Sequence, residues 1–271
     1  MKRVMNLPVI PGVAFNALAP TVGSVFMRLP MLIAVCGIVF ASAHAAEEVS
    51  AQKMVEAADE VRFPKGGFEV DIHVTSSSPG EDQEARTYHV LSQGNEKSIV
   101  QVTEPAAERG QSLLMRGRDL WMYLPDVSQP IRLSFSQRLT GQVANGDIAR
   151  ANFSGDYEAK WLRAETVDNQ ECNVLELTAS DRSVTYSKVV LWVRKASNYP
   201  YKAEFYSLSD RLLKTAWYEN YQQMQGRIRP TRIVLKDAVK KGEQSVLDYS
   251  NMQMRDLPDR IFTKSYLQRL N

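Results

Sequence analysis

The sequence predicts a mainly β protein built on one antiparallel meander, and three observations lead there. From Phe68 to Met254 apolar and polar residues alternate with period two over stretch after stretch. The connections between those stretches are of hairpin length, which forces antiparallel neighbours. No strand–helix alternation occurs that would build a parallel sheet. The stretches amount to about ten or eleven strands, and so many in one sheet must curl or split.

The elements follow in order. Glu47 to Val61 carries helix formers with Val49, Met54, Val55 and Ala58 near one face, and Phe63-Pro64-Lys65-Gly66-Gly67 stops it. Phe68, Val70, Ile72 and Val74 alternate with Glu69, Asp71, His73 and Thr75, the mark of a half-buried strand. After a turn at Ser76–Gly80 come strands over Ala85–Ser92 and Lys97–Val102. Gln111–Met115 and Leu120–Leu124 flank Gly117-Arg118-Asp119 as a hairpin, and Ile131–Phe135 is a short strand. Residues 136–157 then break the period, with three glycines and room for a short helix. A long irregular stretch inside a compact domain is usually a lid or a binding element. Strands resume at Ala159–Thr166, Asn173–Ala179, Lys188–Arg194, Lys202–Ser207, Leu212–Tyr221, Ile228–Leu235 and Glu243–Met254. Leu257–Thr263 leads into a short terminal helix or tail over Lys264–Leu270.

The chain has 271 residues, of which 44% are hydrophobic and 24% charged, values that exclude whole-chain disorder, collagen and coiled coil. Its net charge of +2 belongs to the first 45 residues: without Lys2, Arg3 and Arg28, 30 basic residues face 31 acidic ones. A near-neutral body offers no electrostatic footprint for nucleic acid. Within residues 1–45, Arg28 precedes the apolar run Met31–Phe40, and Ala43-His44-Ala45 gives a small-x-small cleavage site. This is the pattern of a secretory leader cut after Ala45, with Met27 as an ordinary start, followed by one domain over 46–271. The exported domain would keep a single cysteine, Cys172, and therefore no internal disulfide.

Catalytic patterns are missing. His73 and His89 sit on the polar side of their strands, Cys172 lies in a turn before a strand, and none has a sequence partner for nucleophilic or acid–base work. No phosphate loop, nucleophile elbow or metal-ligand spacing occurs, so neither enzyme activity nor a cofactor is expected. Asp147 and Asp156 in the long loop suit a hard cation or, more simply, turns. The positive signal is apolar surplus. Leu120–Leu124, Val189–Val193, Ala203–Leu208 and Leu212–Tyr221 are apolar or aromatic on both faces. Such strands need two covers: a second layer of the fold itself, or a ligand.

Gly117-Arg118-Asp119-Leu120-Trp121-Met122-Tyr123-Leu124-Pro125, then Pro130-Ile131-Arg132 and the 134–157 loop, resemble the outer membrane lipoprotein-sorting family, whose members are similar to the periplasmic lipoprotein carrier LolA. Tyr199–Tyr206 and the Leu257–Leu267 ending fit the same family over the whole of residues 46–271. The loop departs from the family's Gly-Ser-Asp-Phe-like phrase at Ala144–Ile148 and Asn152–Tyr157, so no loop residue takes a role from the resemblance. The resemblance implies an incomplete antiparallel β-barrel with a few helices plugging the concave side. It also implies a periplasmic carrier or chaperone that holds acyl chains of lipoproteins or lipids. Trp121, Tyr123, Trp192 and Phe205 are then expected in the cavity wall, with Phe135 and Phe153 over its mouth. The alternative is a non-enzymatic interaction or sensor domain of the same fold, docking an inner-membrane exporter or a regulatory protein through a sheet edge.

Overall fold

The structure, a computed structural model, describes residues 50–94, 96–150 and 152–268. The expected leader over residues 1–45 lies outside the described residues. Helix α1 occupies residues 50–62 and is followed by β1 (Gly67–Ser77), β2 (Glu84–Gln93), β3 (Lys97–Glu104), β4 (Ser112–Arg116), β5 (Asp119–Tyr123) and β6 (Ile131–Leu133). A ribbon of β7 (Arg138–Thr140) and β8 (Val143–Ala144) leads into α2 (Asn145–Ala149). The second run of strands is β9 (Tyr157–Val167), β10 (Gln170–Ala179), β11 (Lys188–Arg194), β12 (Pro200–Tyr206), β13 (Leu212–Met224), β14 (Arg227–Asp237) and β15 (Gln244–Met254). Helix α3 (Lys264–Leu267) ends the described chain.

Thirteen strands form one antiparallel sheet in the order β6-β5-β4-β3-β2-β1-β15-β14-β13-β12-β11-β10-β9. The number exceeds the ten or eleven expected because every marked stretch, even three-residue β6, pairs as its own strand; the β7–β8 ribbon is a separate two-stranded sheet in the loop. Two hairpin meanders meet where β1 pairs with β15, at Ile72 opposite Tyr249. The sheet does not close: β6 and β9 are its edges. Those edges are joined by the chain between them, so residues 134–156 have to cross from one side of the open sheet to the other. The irregular stretch seen in the sequence is this crossing.

One face of the sheet holds the main core. Phe68, Val70, Ile72 and Val74 from β1 join Val100, Leu113, Leu120, Leu175, Leu191, Phe205, Tyr218 and Leu247 from eight other strands in one cluster. The cluster is capped by Ala51, Val55 and Ala58 of α1 and by Phe135, Val143, Ile148 and Phe153 of the crossing segment. This is the concave side, plugged by helices. The opposite, convex side carries two smaller clusters. In one, Leu257, Ile261, Phe262 and Leu267 cover Ile99, Leu114 and Tyr123. The other gathers Cys172, Val174, Val190 and Trp192.

Two glycines fix how closely the crossing segment sits. Gly141 has φ +47°, and a Cβ there would fall 2.0 Å from Ser76 Oγ and 2.4 Å from Ser245 Oγ, on the β1–β15 pair. A Cβ on Gly146 of α2 would lie 1.9 Å from Thr185 Oγ1. The segment therefore rests directly on the sheet at one point and on the 180–187 loop at the other.

Candidate functional site

The crossing segment is held by polar bonds drawn from its own short residues. The Gly146 N–H donates to the Phe135 carbonyl at 2.9 Å, and the Asn145 side chain donates to the Ser134 carbonyl at 2.9 Å. Asp147 accepts from the Ala144 N–H at 2.8 Å, capping α2 from within. The same carboxylate takes the Lys214 ammonium at 2.5 Å and the Tyr186 hydroxyl at 2.7 Å. Farther on, Asp156 is gripped by Arg150, through Nε and through Nη2 at 2.7 Å, with Arg118 3.2 Å away. Both loop aspartates are thus engaged by cations of the chain itself. Among the described residues no three His, Cys, Asp or Glu side chains gather as metal ligands.

The segment's far end is tied to α1. Asp59 accepts from the backbone N–H of Phe153 at 2.9 Å and of Ser154 at 2.6 Å, and from Arg62 Nη1 at 3.2 Å. Asp59 is 3% exposed and Arg62 7%, so this ion pair lies inside the protein. The Arg62 guanidinium stands 4.4 Å from the Phe153 ring centroid and 5.5 Å from that of Tyr218.

Beneath these contacts lies a small cavity of about 40 Å³. Its polar wall includes Arg62, Arg150, Asp147, Asp156, Tyr186, Tyr218 and Tyr249; its apolar wall includes Phe153, Phe205, Ala216, Ile233, Leu235 and Leu247. Outside, an apolar groove of about 500 Å³ runs along Ala179, Val184, Tyr206, Leu208 and Leu213. Tyr186 borders both spaces, with its ring 4.5 Å from that of Phe205, and forms the partition between them.

Burial governs the electrostatics here. Loss of water pushes the Lys214 ammonium below its ordinary value although Asp147 pulls the other way. Burial raises the Asp59 carboxyl against the pull of Arg62 and the two backbone N–H groups. The phenols of Tyr186, Tyr218 and Tyr249 are all held above their usual 10.0, chiefly by burial. The sign of the resulting pH dependence follows. Above pH 10 the unfolded chain loses these protons while the folded one keeps them, so stability falls as pH rises. An alkaline titration is expected to show tyrosinate absorbance in two phases, the second coinciding with loss of the circular dichroism signal. A single smooth phase with the fold retained would refute this.

The six aromatic residues expected at the cavity are divided between the faces. Phe153 and Phe205 line it, their ring centroids 6.4 Å apart. Phe135 is fully buried in the same core, under the segment it begins. Trp121 and Tyr123 lie on the convex face against the C-terminal segment, with Lys264 Nζ 4.3 Å from the Trp121 ring. Trp192 is also convex, packed with Cys172 and covered by Lys202 at 4.4 Å. This corrects the expectation of one continuous aromatic wall. Leu120 and Met122 on β5, and Val189, Leu191 and Val193 on β11, take the concave positions, so alternation turns the aromatics outward. His73 and His89 are outward too, bonded to Thr87 at 3.0 Å and Asp71 at 2.7 Å. Cys172 is buried, which pushes its thiol up.

Sequence reasoning missed Arg62 and the three tyrosines. For Arg62 a signal exists. Ala51, Val55 and Ala58 set the buried stripe of α1, and Asp59 and Arg62 continue that stripe at helical spacing.

Comparison with known proteins returns consistent folds. A family model described as that of an uncharacterized protein matches residues 94–269. A LolA superfamily protein from Nitrosomonas europaea is 61% identical, covers 80% of this chain and 98% of its own, and superposes with a TM-score of 0.77. A DUF1329 family protein from Desulfovibrio piger (24% identity, 82% and 99% covered) and an outer membrane lipoprotein-sorting protein domain from Vibrio parahaemolyticus (22%, 82% and 100%) both give a TM-score of 0.71 and share the fold. No curated protein matches the chain. With three-fifths of its aligned residues identical to the Nitrosomonas structure over nearly all of that protein, the chain belongs to the LolA superfamily.

Proposed function

We propose that the protein is a periplasmic carrier that shelters an acyl chain of a lipoprotein or lipid on the concave side of its sheet and passes it toward the outer membrane. The observation that carries this reading is the cover of that face. An apolar surface spanning thirteen strands is closed by one helix and a bonded segment rather than by a second sheet. A cavity lies beneath the segment and an apolar groove beside it. The 40 Å³ cavity is too small for an acyl chain, so loading requires the segment or Tyr186 to move and join the two spaces. Burial of ~15 methylenes at ~0.8 kcal/mol each gives ~12 kcal/mol gross, largely offset because donor and acceptor membranes are themselves apolar. A carrier needs that near balance, since cargo held too tightly is never delivered. Docking through a sheet edge has less support. Edge strand β6 spans three residues, and β9 presents Glu158, Lys160 and Arg163 to solvent, a guarded edge.

Ala216 sits in the cavity floor and is 1% exposed. Ala216→Leu is expected to fill the space, cost at most ~1–3 kcal/mol of stability through overpacking, and weaken binding of a neutral fluorescent acyl ester by roughly tenfold. Circular dichroism checks the fold. Equal ester binding by both folded proteins, or none by the parent, would overturn the carrier reading.

A further inference from the structure

We propose that the cavity is a carboxylate-binding pocket with Arg62 as its cation, so that the cargo is a long-chain amphiphile ending in a single carboxylate, of the fatty-acid class. This rests on the acyl-carrier reading and adds the chemistry of the cargo's head.

Arg62 has more donors than the protein uses. A guanidinium offers five N–H groups. Here one of them reaches Asp59, at 3.2 Å, and Nε is buried with no partner. Asp59 cannot take more, because its oxygens already accept the N–H groups of Phe153 and Ser154. A buried charged donor without an acceptor is costly, and this one borders an internal space. Tyr218 and Tyr249 stand on the same wall, and burial keeps their hydroxyls protonated and able to donate.

The other charges at the cavity do not compete for Arg62. Asp147 is held by Lys214 and Tyr186, and Asp156 by Arg150 and Arg118. On the cavity wall Arg62 and Arg150 stand with Asp147 and Asp156, and Arg62 keeps a buried donor without a partner, its Nε, which suits one singly charged acceptor. Size narrows the choice further. About 40 Å³ exceeds the ~10–15 Å³ that one water molecule needs and admits a planar carboxylate whose two oxygens match the guanidinium fork. A phosphate monoester, carrying up to about two negative charges, would meet Asp147 and Asp156 on the same wall.

The test uses the full-length purified protein, stripped of bound lipid, with hexadecanoic acid, hexadecanol and hexadecyl phosphate competing against the neutral fluorescent ester. The acid is expected to bind roughly 10- to 100-fold tighter than the alcohol, the range of a charge-assisted hydrogen bond, and tighter than the phosphate. Arg62→Gln should erase the acid's margin over the alcohol. Should that variant fail to fold because Asp59 is left unpaired, Asp59→Asn with Arg62→Gln keeps the pair neutral and is expected to erase the margin equally. Acid and alcohol binding alike to the parent would overturn the carboxylate pocket while leaving the carrier intact. A phosphate that outbinds the acid would overturn it as well. If no acyl compound binds the parent, the carrier reading itself fails and the pocket with it.

Discussion

An Asp59→Ala variant is expected to melt roughly 6–20 °C below the parent protein. The substitution strips the acceptor from the N–H groups of Phe153 and Ser154 and leaves the Arg62 guanidinium buried without its counter-charge. Breaking one partner from a buried ion pair costs ~3–5 kcal/mol, and in a domain of this size each kcal/mol lowers the melting temperature by roughly 2–4 °C. The loss should be local before it is global. Asp59 is the bond between α1 and the end of the crossing segment, so amide exchange is expected to accelerate first around residues 150–156. Replacing both charges, as Asp59→Leu with Arg62→Met, should cost far less, because a buried pair is often matched by apolar side chains of similar volume. Calorimetry of the single and double variants decides the matter. A single variant within about 2 °C of the parent would show that the pair does not hold the segment.

That pair also marks where the sequence is legible and where it is not. The β1 alternation of Phe68, Val70, Ile72 and Val74 against Glu69, Asp71 and His73 reads directly, because one set is wettable and the other is not. The crossing segment reads equally well, through the loss of period between residues 136 and 157. The face assignment of β5 does not read. Leu120 and Met122 compete with Trp121 and Tyr123 for the core, both sets are apolar, and parity alone cannot rank them. The winner is set from far along the chain, by Leu257 to Leu267 covering the aromatic side. Strand β10 keeps a plain alternation, with Cys172 and Val174 outward and Leu175 and Leu177 inward, but both sets are apolar, so parity again cannot rank them; the bulge in its pairing with β9 places the extra residue, Leu162, on β9. The cavity was the least legible part, since its cation stands in a helical stripe normally read by counting apolar residues.

Phe262→Ala is expected to destabilise the protein by ~3–5 kcal/mol while leaving acyl binding intact. Phe262 has no exposed surface and anchors the C-terminal segment on the convex face, beside Ile261, Leu267, Ile99 and Leu114. The site cannot collapse easily to fill the void, because Ile99 and Leu114 are fixed in the strand ladder, paired opposite one another. The segment itself is weakly held otherwise: its tethers include the surface ion pair of Lys97 with Asp259 and the Gln268 amide on the Ser128 carbonyl at 3.2 Å. Once the ring is removed, the segment should lift and expose Trp121, which shifts its emission to longer wavelength. The cavity lies on the other face of the sheet and shares no wall residue with this cluster, so the variant, measured well below its melting temperature, should bind the acyl ester as the parent does. Two results would sink this account. An unchanged melting temperature would mean that the segment does not cover the convex face, and lost ester binding in a folded variant would place the ligand on the aromatic side of β5 after all.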